Sequence, residues 1–119
     1  MNIYQIIKGK NAALAAYGFP VVAPQHVAPP FWIYACVSTR TANTMTGYTE
    51  LNVSRYNFDA FATTYAGAKT VADAIKGIML QAWKDTGISY ATLETELEGY
   101  DENEKLYQVT LSFMVTYLK

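Results

Sequence analysis

Residues 105–118, KLYQVTLSFMVTYL, decide the fold because their side chains alternate between apolar and polar with a period of two. This period places successive side chains on opposite faces of a β-strand. The apolar face carries Tyr107, Val109, Leu111, Phe113, Val115 and Tyr117. The other face carries Gln108, Thr110, Ser112, Met114 and Thr116. The pattern predicts a strand with one face on the core and the other face uncovered.

A helical pattern precedes this strand. Its apolar side chains recur at a spacing of about 3.6 residues, which predicts an amphipathic helix with one broad face on the core. The stripe consists of Tyr65, Ala68, Val71, Ala72, Ile75, Ile78, Met79, Ala82 and Trp83. Thr63 or Thr64 is the predicted N-cap, and Gly87 is the predicted C-cap.

The N-terminal third of the chain has less regular patterns. Residues 3–15 carry isoleucine and leucine at helical spacing and predict a first helix. Residues 18–30 hold all four prolines and predict an extended loop. The segment Phe31–Thr39 is almost continuously apolar, which predicts a strand buried on both faces.

Two further strands complete the expected fold, one over about residues 50–60 and one over about 89–98. In the former, a bulge near Ser54–Arg55 is expected, because it brings four apolar side chains to one side. These are Leu51, Val53, Tyr56 and Phe58. The sequence therefore predicts one α+β domain over residues 1–119, with the order α-β-β-α-β-β. We expect two helices on one face of a mostly antiparallel four-stranded sheet.

Composition excludes several classes of protein. The net charge of −1 gives no general attraction to nucleic acid, so no sequence-specific nucleic-acid binding is expected. The longest apolar run, Phe31–Val37, is too short to span a bilayer, and no secretory signal is recognisable, so we expect a protein that is cytosolic where it is made.

The sequence offers no set of residues for catalysis, for a cofactor or for a metal. Cys36 and His26 are the only thiol and imidazole, and we expect Cys36 to be buried and inert because its strand is apolar. The segment Gly67–Thr70 resembles a phosphate loop only superficially, since it lacks the second glycine and lies within the predicted helix. We expect no enzyme.

Interaction surfaces are the better candidates for function. Residues 94–105 hold six acids and one base, and three of the acids, Glu94, Glu96 and Glu98, are expected to project from one face of a strand. Arg40–Thr49 reads as a long connection with exposed apolar side chains, and we expect it to become ordered only on a partner. The candidate interface residues are Arg40, Met45, Tyr48, Arg55, Glu94, Glu96, Glu98, Asp101 and Glu102.

The order and spacing of several segments resemble the tail-terminator or tail-completion family of long-tailed phages and prophages. A proline-containing loop runs into an aromatic strand, a Thr/Asn/Gly connection follows, a strand leads to a Tyr/Ala-rich helix, and an acidic loop precedes the last strand. The segments are Pro24–Tyr34 (PQHVAPPFWIY), Asn43–Gly47 (NTMTG), Phe58–Phe61 (FDAF), Tyr65–Ala68 (YAGA), Val71–Ile75 (VADAI) and Tyr100–Tyr107 (YDENEKLY).

This resemblance implies a structural role. Subunits of such proteins form a ring, usually a hexamer, that caps the tail tube and offers a surface for joining to the head. The implied partners are further copies of the chain, the tail-tube protein and a head–tail connector protein. The implied location is the host cytoplasm during assembly and then the tail or neck of the virion. Two alternatives stay open: a small ligand- or peptide-binding module of the same fold, and a neck or head-completion protein.

Overall fold

The computed structural model describes residues 3–21, 28–44, 47–81 and 88–118, with only the backbone described for 41–44, 47–51, 88–90 and 118. The elements in chain order are α1 (Ile3–Lys10), α2 (Ala12–Ala15), β1 (Gly18–Pro20), β2 (Phe31–Thr44), β3 (Gly47–Ala62), α3 (Tyr65–Gln81), β4 (Ile88–Asp101) and β5 (Leu106–Leu118). None of the described helices combines the length and the apolar character that crossing a membrane requires.

The sheet has five strands in the order β1-β2-β3-β5-β4. β1 is parallel to β2, and the other neighbouring pairs are antiparallel. The predicted four-stranded sheet with two helices in the order α-β-β-α-β-β is therefore wrong. The expected first helix is divided at Asn11, whose side chain accepts a hydrogen bond from the Leu14 amide at 3.0 Å and caps a separate short helix.

β1 lies in the segment that its prolines predicted to be an extended loop. Gly18 pairs with Trp32, and a Cβ atom on Gly18 would lie 2.2 Å from Cζ2 of the Trp32 ring. The ring is fully buried, and its Nε1 donates a hydrogen bond to the Leu14 carbonyl at 2.8 Å. Trp32 thus ties α2 and β1 to β2. The rest of the predicted loop, apart from Val21 and residues 28–30, lies outside the described residues.

The core lies between α3 and the central strands β3 and β5. The predicted apolar faces of β5 and α3 are confirmed in their central parts: Val109, Leu111, Phe113 and Val115 are buried, as are Ala68, Val71, Ala72, Ile75 and Met79. Tyr65, predicted to belong to the same stripe, is 49% exposed, Ile78 and Tyr107 are half-buried, and Ala82 and Trp83 lie outside the described residues. Phe58 and Phe113 meet edge to face with ring centroids 5.9 Å apart. Thr64 is the N-cap, because its Oγ1 accepts a hydrogen bond from the Gly67 amide at 3.0 Å. The predicted C-cap Gly87 lies outside the described residues.

The bulge predicted in β3 is absent from that strand. β3 pairs with β5 without a shift from Leu51 to Ala62, so Asn52 and Ser54 face the core together with Tyr56 and Phe58. Buried polar groups need hydrogen bonds. Ser54 Oγ has two, at 2.8 Å from Thr39 Oγ1 and 3.0 Å from the Tyr117 hydroxyl. Near this point the extra residue lies in β2 instead, between Cys36 and Ser38. Farther along the pair, between Thr41 and Asn43, one residue of β2 lies opposite three residues of β3, 49–51.

β2 also differs from its prediction in burial and length. Trp32 is fully buried, but Val37 is 55% exposed and Cys36 is exposed, so the strand is not buried on both faces. β2 continues to Thr44, and β3 begins at Gly47. The predicted long loop Arg40–Thr49 is therefore the end of a β-hairpin. Among the described residues, β5 pairs with β3 only as far as Leu51, so the described end of the hairpin beyond Leu51 does not pair with β5.

We expect Gly18→Ala to lower the free energy of unfolding by roughly 1–3 kcal/mol, because the added methyl group overpacks the site against the Trp32 ring. Urea denaturation measures the effect. The matched control is Gly9→Ala within α1, where a Cβ meets nothing within 4 Å. It should raise stability by about 0.5–1 kcal/mol, because alanine favours the helix. Equal stability of the two variants would contradict the packing of β1 on Trp32.

Candidate functional site

The candidate interface residues of β4 do not share one face, as was predicted for Glu94, Glu96 and Glu98. Glu96 and Glu98 lie opposite Leu111 and Val109 of β5 and therefore share the face that α3 covers. The register shifts between Leu93 and Thr95, which makes Glu94 the extra residue of a bulge. Its carboxylate accordingly reaches the face without a helix.

Glu94 forms an ion pair with Arg55 there, with Oε2 and the guanidinium nitrogen 2.9 Å apart. Arg55 belongs to β3 and lies opposite Met114 of β5, so the ion pair spans the strand between β3 and β4. Both side chains remain more than a third exposed, at 41% and 36%. A pair this exposed contributes little to stability, about 0–1 kcal/mol, but it fixes the position of both charges on this face.

On the other face, Glu96 is held by two lysines of α3, with Lys76 Nζ at 3.1 Å and Lys69 Nζ at 3.3 Å. The hydrogen bond from Lys76, together with the one from Lys69, holds the pKa of Glu96 below its usual value. Glu98 accepts a hydrogen bond from the Tyr65 hydroxyl, which raises the pKa of that tyrosine. These glutamates fasten α3 to β4 within the chain.

Three tyrosines cluster at the end of β4, where the sequence analysis missed a surface. Tyr107 contacts Tyr65 and Tyr100 edge to face, with ring centroids 6.2 Å and 4.8 Å apart. Tyr65 is 49% exposed and Tyr100 is 50% exposed. We call Tyr65, Tyr100 and Tyr107 the tyrosine patch. The sequence could have predicted this patch if β4 had been extended beyond residue 98, because the longer strand places Tyr100 opposite Tyr107.

An acidic turn follows Tyr100 of the tyrosine patch. Asp101 Oδ1 accepts hydrogen bonds from the backbone amides of Asn103 and Glu104, at 2.9 Å and 3.2 Å, and so shapes the turn into β5. Glu102 is exposed in that turn. Of the predicted acidic interface, Asp101 and Glu102 therefore follow directly after the exposed Tyr100, at the end of β4.

Cys36 lies at the opposite edge of the sheet and is exposed, so the prediction of a buried thiol is wrong. It opens into a pocket of about 270 Å³, which we call the Cys36 pocket. The described lining residues are Ile3, Pro20, Val21, Tyr34, Ala35, Cys36 and Tyr56. Val21 has a left-handed backbone (φ 63°) and is 73% exposed. The thiol is exposed because β2 lies near the edge, beside a strand of only three residues.

The surroundings of Cys36 give no support to thiol catalysis. Its Sγ lies 3.2 Å from Thr39 Oγ1. Burial, with a smaller contribution from Cys36, raises the pKa of Tyr56 to about 12, so this phenol keeps its proton at neutral pH and is no base. His26 lies outside the described residues. Gly67–Thr70 lies inside α3, as predicted, and in the described part of the chain no group of three or more His, Cys, Asp or Glu residues could hold a metal ion.

The face of the sheet opposite α3 carries a polar network. Asp59 Oδ1 accepts hydrogen bonds from Thr110 Oγ1 at 2.6 Å and from Gln108 Nε2 at 3.2 Å. Beside it, Phe31 and Phe61 stack with centroids 5.0 Å apart. No described helix packs on this face. The described side chains of β3 and β5 on this face are half-buried.

The remaining candidates lie on the β2–β3 hairpin. Arg40 is exposed and lies opposite Val53. The backbone of Tyr48 pairs with Asn43, and Met45 lies outside the described residues. The candidate residues that the structure describes are therefore distributed over the hairpin, both faces of the sheet and the β4–β5 turn. The structure does not bring them together in one interface.

Comparison with known proteins gives one family and one fold. The family model described as "Tail completion protein gp17" matches residues 1–118. Among solved structures, a chain of the virion of a native gene transfer agent particle superposes with a TM-score of 0.77 at 18% sequence identity, covering 98% of this chain and 92% of that one. At this identity the likeness shows the fold alone. No curated protein sequence matches the chain.

We expect Glu96→Gln to lower stability at pH 7 by about 0.2–1 kcal/mol, because it removes the negative charge that pairs with Lys69 and Lys76. The pKa of Glu96 is lowered in the folded chain, so its contribution is present above the usual pKa of glutamate and is lost as the pH falls through the folded value. The variant should therefore lose less stability than the wild type between about pH 5 and pH 3. Urea denaturation across this range measures the difference.

The matched control is Glu102→Gln, in the exposed β4–β5 turn, which should change neither stability nor its pH profile. Parallel pH profiles for Glu96→Gln and the wild type would show that the lysines do not hold this carboxylate in solution.

Proposed function

This chain belongs to the tail completion protein gp17 family, and we propose that it is a structural subunit of a phage-type virion tail. In this proposal, copies of the chain close into a ring, a hexamer as the family resemblance implies. The ring caps the tail tube, stops its polymerisation and offers the surface on which the head is joined. Its partners are its own copies, the tail-tube protein and a head–tail connector protein. It assembles in the host cytoplasm and stays in the tail or neck of the virion.

The observation that carries this proposal is the extent of the family match, residues 1–118. The matched unit is the whole folded domain, from α1 to β5, and not a fragment of it. The chain with the similar fold comes from a virion particle, which fits the same role.

The arrangement of the surfaces also favours a ring. A closed ring needs a head-to-tail contact, in which two different patches of one subunit meet those of its neighbours. The tyrosine patch lies beside β4 and the Cys36 pocket lies beside β1 and β2, at opposite edges of the sheet. The two surfaces differ in shape and in charge, as such a contact requires.

We propose a protein without enzymatic activity, cofactor or metal, and without a sequence-specific nucleic-acid site or a membrane site. Cys36 has hydroxyl groups around it in place of a base. The acidic side chains of β4 are engaged by Arg55, Lys69, Lys76 and Tyr65 of the same chain. These carboxylates therefore connect elements of the same chain.

Deleting the gene in its phage or prophage should give tails of uncontrolled length together with heads that carry no tail. The reason is that an uncapped tube continues to polymerise and has no surface for joining. Electron microscopy of lysates measures the distribution of tail lengths. We expect a broad distribution in the deletion and a single narrow peak in the wild type.

Complementation distinguishes a structural role of the protein from a catalytic role of Cys36. A plasmid copy of the wild type should restore the narrow peak, and a copy with Cys36→Ser should do so equally. Tails of normal length that fail to join heads would instead assign the chain to the head side of the neck. A lysate in which only Cys36→Ser fails to complement, although the variant folds, would contradict a purely structural role.

A further inference from the structure

We infer that the ring contact joins the tyrosine patch of one copy to the Cys36 pocket of the next copy. This inference rests on the proposed function, since it names the two surfaces that meet in the ring. Its occupant is a second copy of the chain, because one chain carries both halves of the contact.

The two surfaces lie at opposite edges of the sheet and on the same side of it. Tyr100 lies opposite Tyr107, which shares the core face of β5, and Cys36 lies opposite the buried Tyr56 on the core face of β3. With five strands in the order β1-β2-β3-β5-β4 and neighbouring strands about 4.8 Å apart, the edges are roughly 19 Å apart. A copy can therefore use both surfaces at once, which a ring requires.

Shape complementarity favours this pairing. The exposed rings of Tyr65 and Tyr100 form a convex aromatic surface whose side chains are held by contacts with Tyr107 and Glu98. Rigid, amphipathic tyrosines of this kind are favoured at interface centres. The Cys36 pocket is concave and lined by apolar, aromatic and thiol side chains, and it is bordered by the exposed Val21. Seating a tyrosine there would remove apolar area from water on both copies.

Charge also favours the pairing of the tyrosine patch with the Cys36 pocket. Glu98 contacts Tyr65 of the tyrosine patch, and the turn that follows Tyr100 carries Asp101, Glu102 and Glu104. Lys69 beside Tyr65 and Lys105 in the turn offset part of this charge. The four acids still outnumber the two lysines, so two such patches brought together would repel. The described lining of the Cys36 pocket contains no charged side chain, and α1 begins in its wall at Ile3. The amino end of a helix carries partial positive charge. An acidic patch therefore fits the pocket better than it fits a second copy of itself.

The single native thiol allows a direct test by disulfide crosslinking of Tyr100→Cys. A disulfide needs Cα atoms no more than about 7 Å apart, so a bond between position 100 and Cys36 reports close contact. Mild oxidation of the assembled protein should give a ladder of covalent oligomers beyond the dimer on a non-reducing gel, because each copy bonds to two neighbours. Reduction should collapse the ladder to the monomer.

Two matched controls accompany this variant. Leu97→Cys places a thiol on the same strand, 61% exposed but on the opposite face, next to Thr110, and should give no species beyond the dimer. Tyr100→Cys combined with Cys36→Ser should lose the ladder, because each copy then holds one thiol. Should Tyr100→Cys not fold, Tyr65→Cys samples the same patch and should give the same ladder.

The wild-type chain provides a second readout. Assembly should slow the alkylation of Cys36 by roughly tenfold or more, because accessibility limits the reaction of a thiol. Light scattering on the same sample reports separately whether copies assemble. Closed oligomers in which Cys36 stays fully reactive, and in which neither tyrosine variant forms a ladder, would overturn this contact while the ring stands. A wild-type protein that stays monomeric at all concentrations would overturn both.

Discussion

Burial of one face of the β3–β5 strand pair beneath α3 is the constraint on which the rest of the structure depends. Phe58 and Phe113 meet edge to face within this layer, and Ala72, Ile75 and Met79 of α3 are inaccessible to solvent. Burying each large apolar side chain contributes about 1.5–3 kcal/mol, so this layer outweighs the exposed ion pairs. Once β3 and β5 are central, β4 and the β1–β2 pair become the edges of the sheet.

The two edges of the sheet differ chemically because different side chains contact the edge strands. At β4, glutamates reach back to lysines and a tyrosine of α3, which leaves the tyrosine rings exposed beside a tight acidic turn. At the other edge, β1 pairs with β2 over only three residues, with Gly18 against Trp32. The part of β2 beyond this pairing carries the exposed thiol of Cys36 and borders an apolar pocket. The acidic residues of β4 are therefore engaged within the fold, and the tyrosines Tyr65 and Tyr100 remain exposed.

The sequence predicts the elements whose periodicity is undisturbed. β5 and α3 follow from a clean period of two and a clean stripe at helical spacing, and the order of segments led to the family that the family match confirms. The failures have a common cause in long-range pairing. Ser54 belongs on the core face only because hydroxyls of Thr39 and Tyr117, far away in the chain, accommodate it. The bulge at Glu94 and the parallel strand at Gly18 likewise depend on neighbours that local patterns do not reveal.

We propose that this domain is a ring-forming subunit, and native mass spectrometry of the purified protein measures this directly. We expect one closed species whose mass is a whole multiple of 13.2 kDa, a hexamer as the family resemblance implies, with no higher multiples as the concentration rises. A monomer at every concentration, or an open series of multiples without a preferred size, would contradict it.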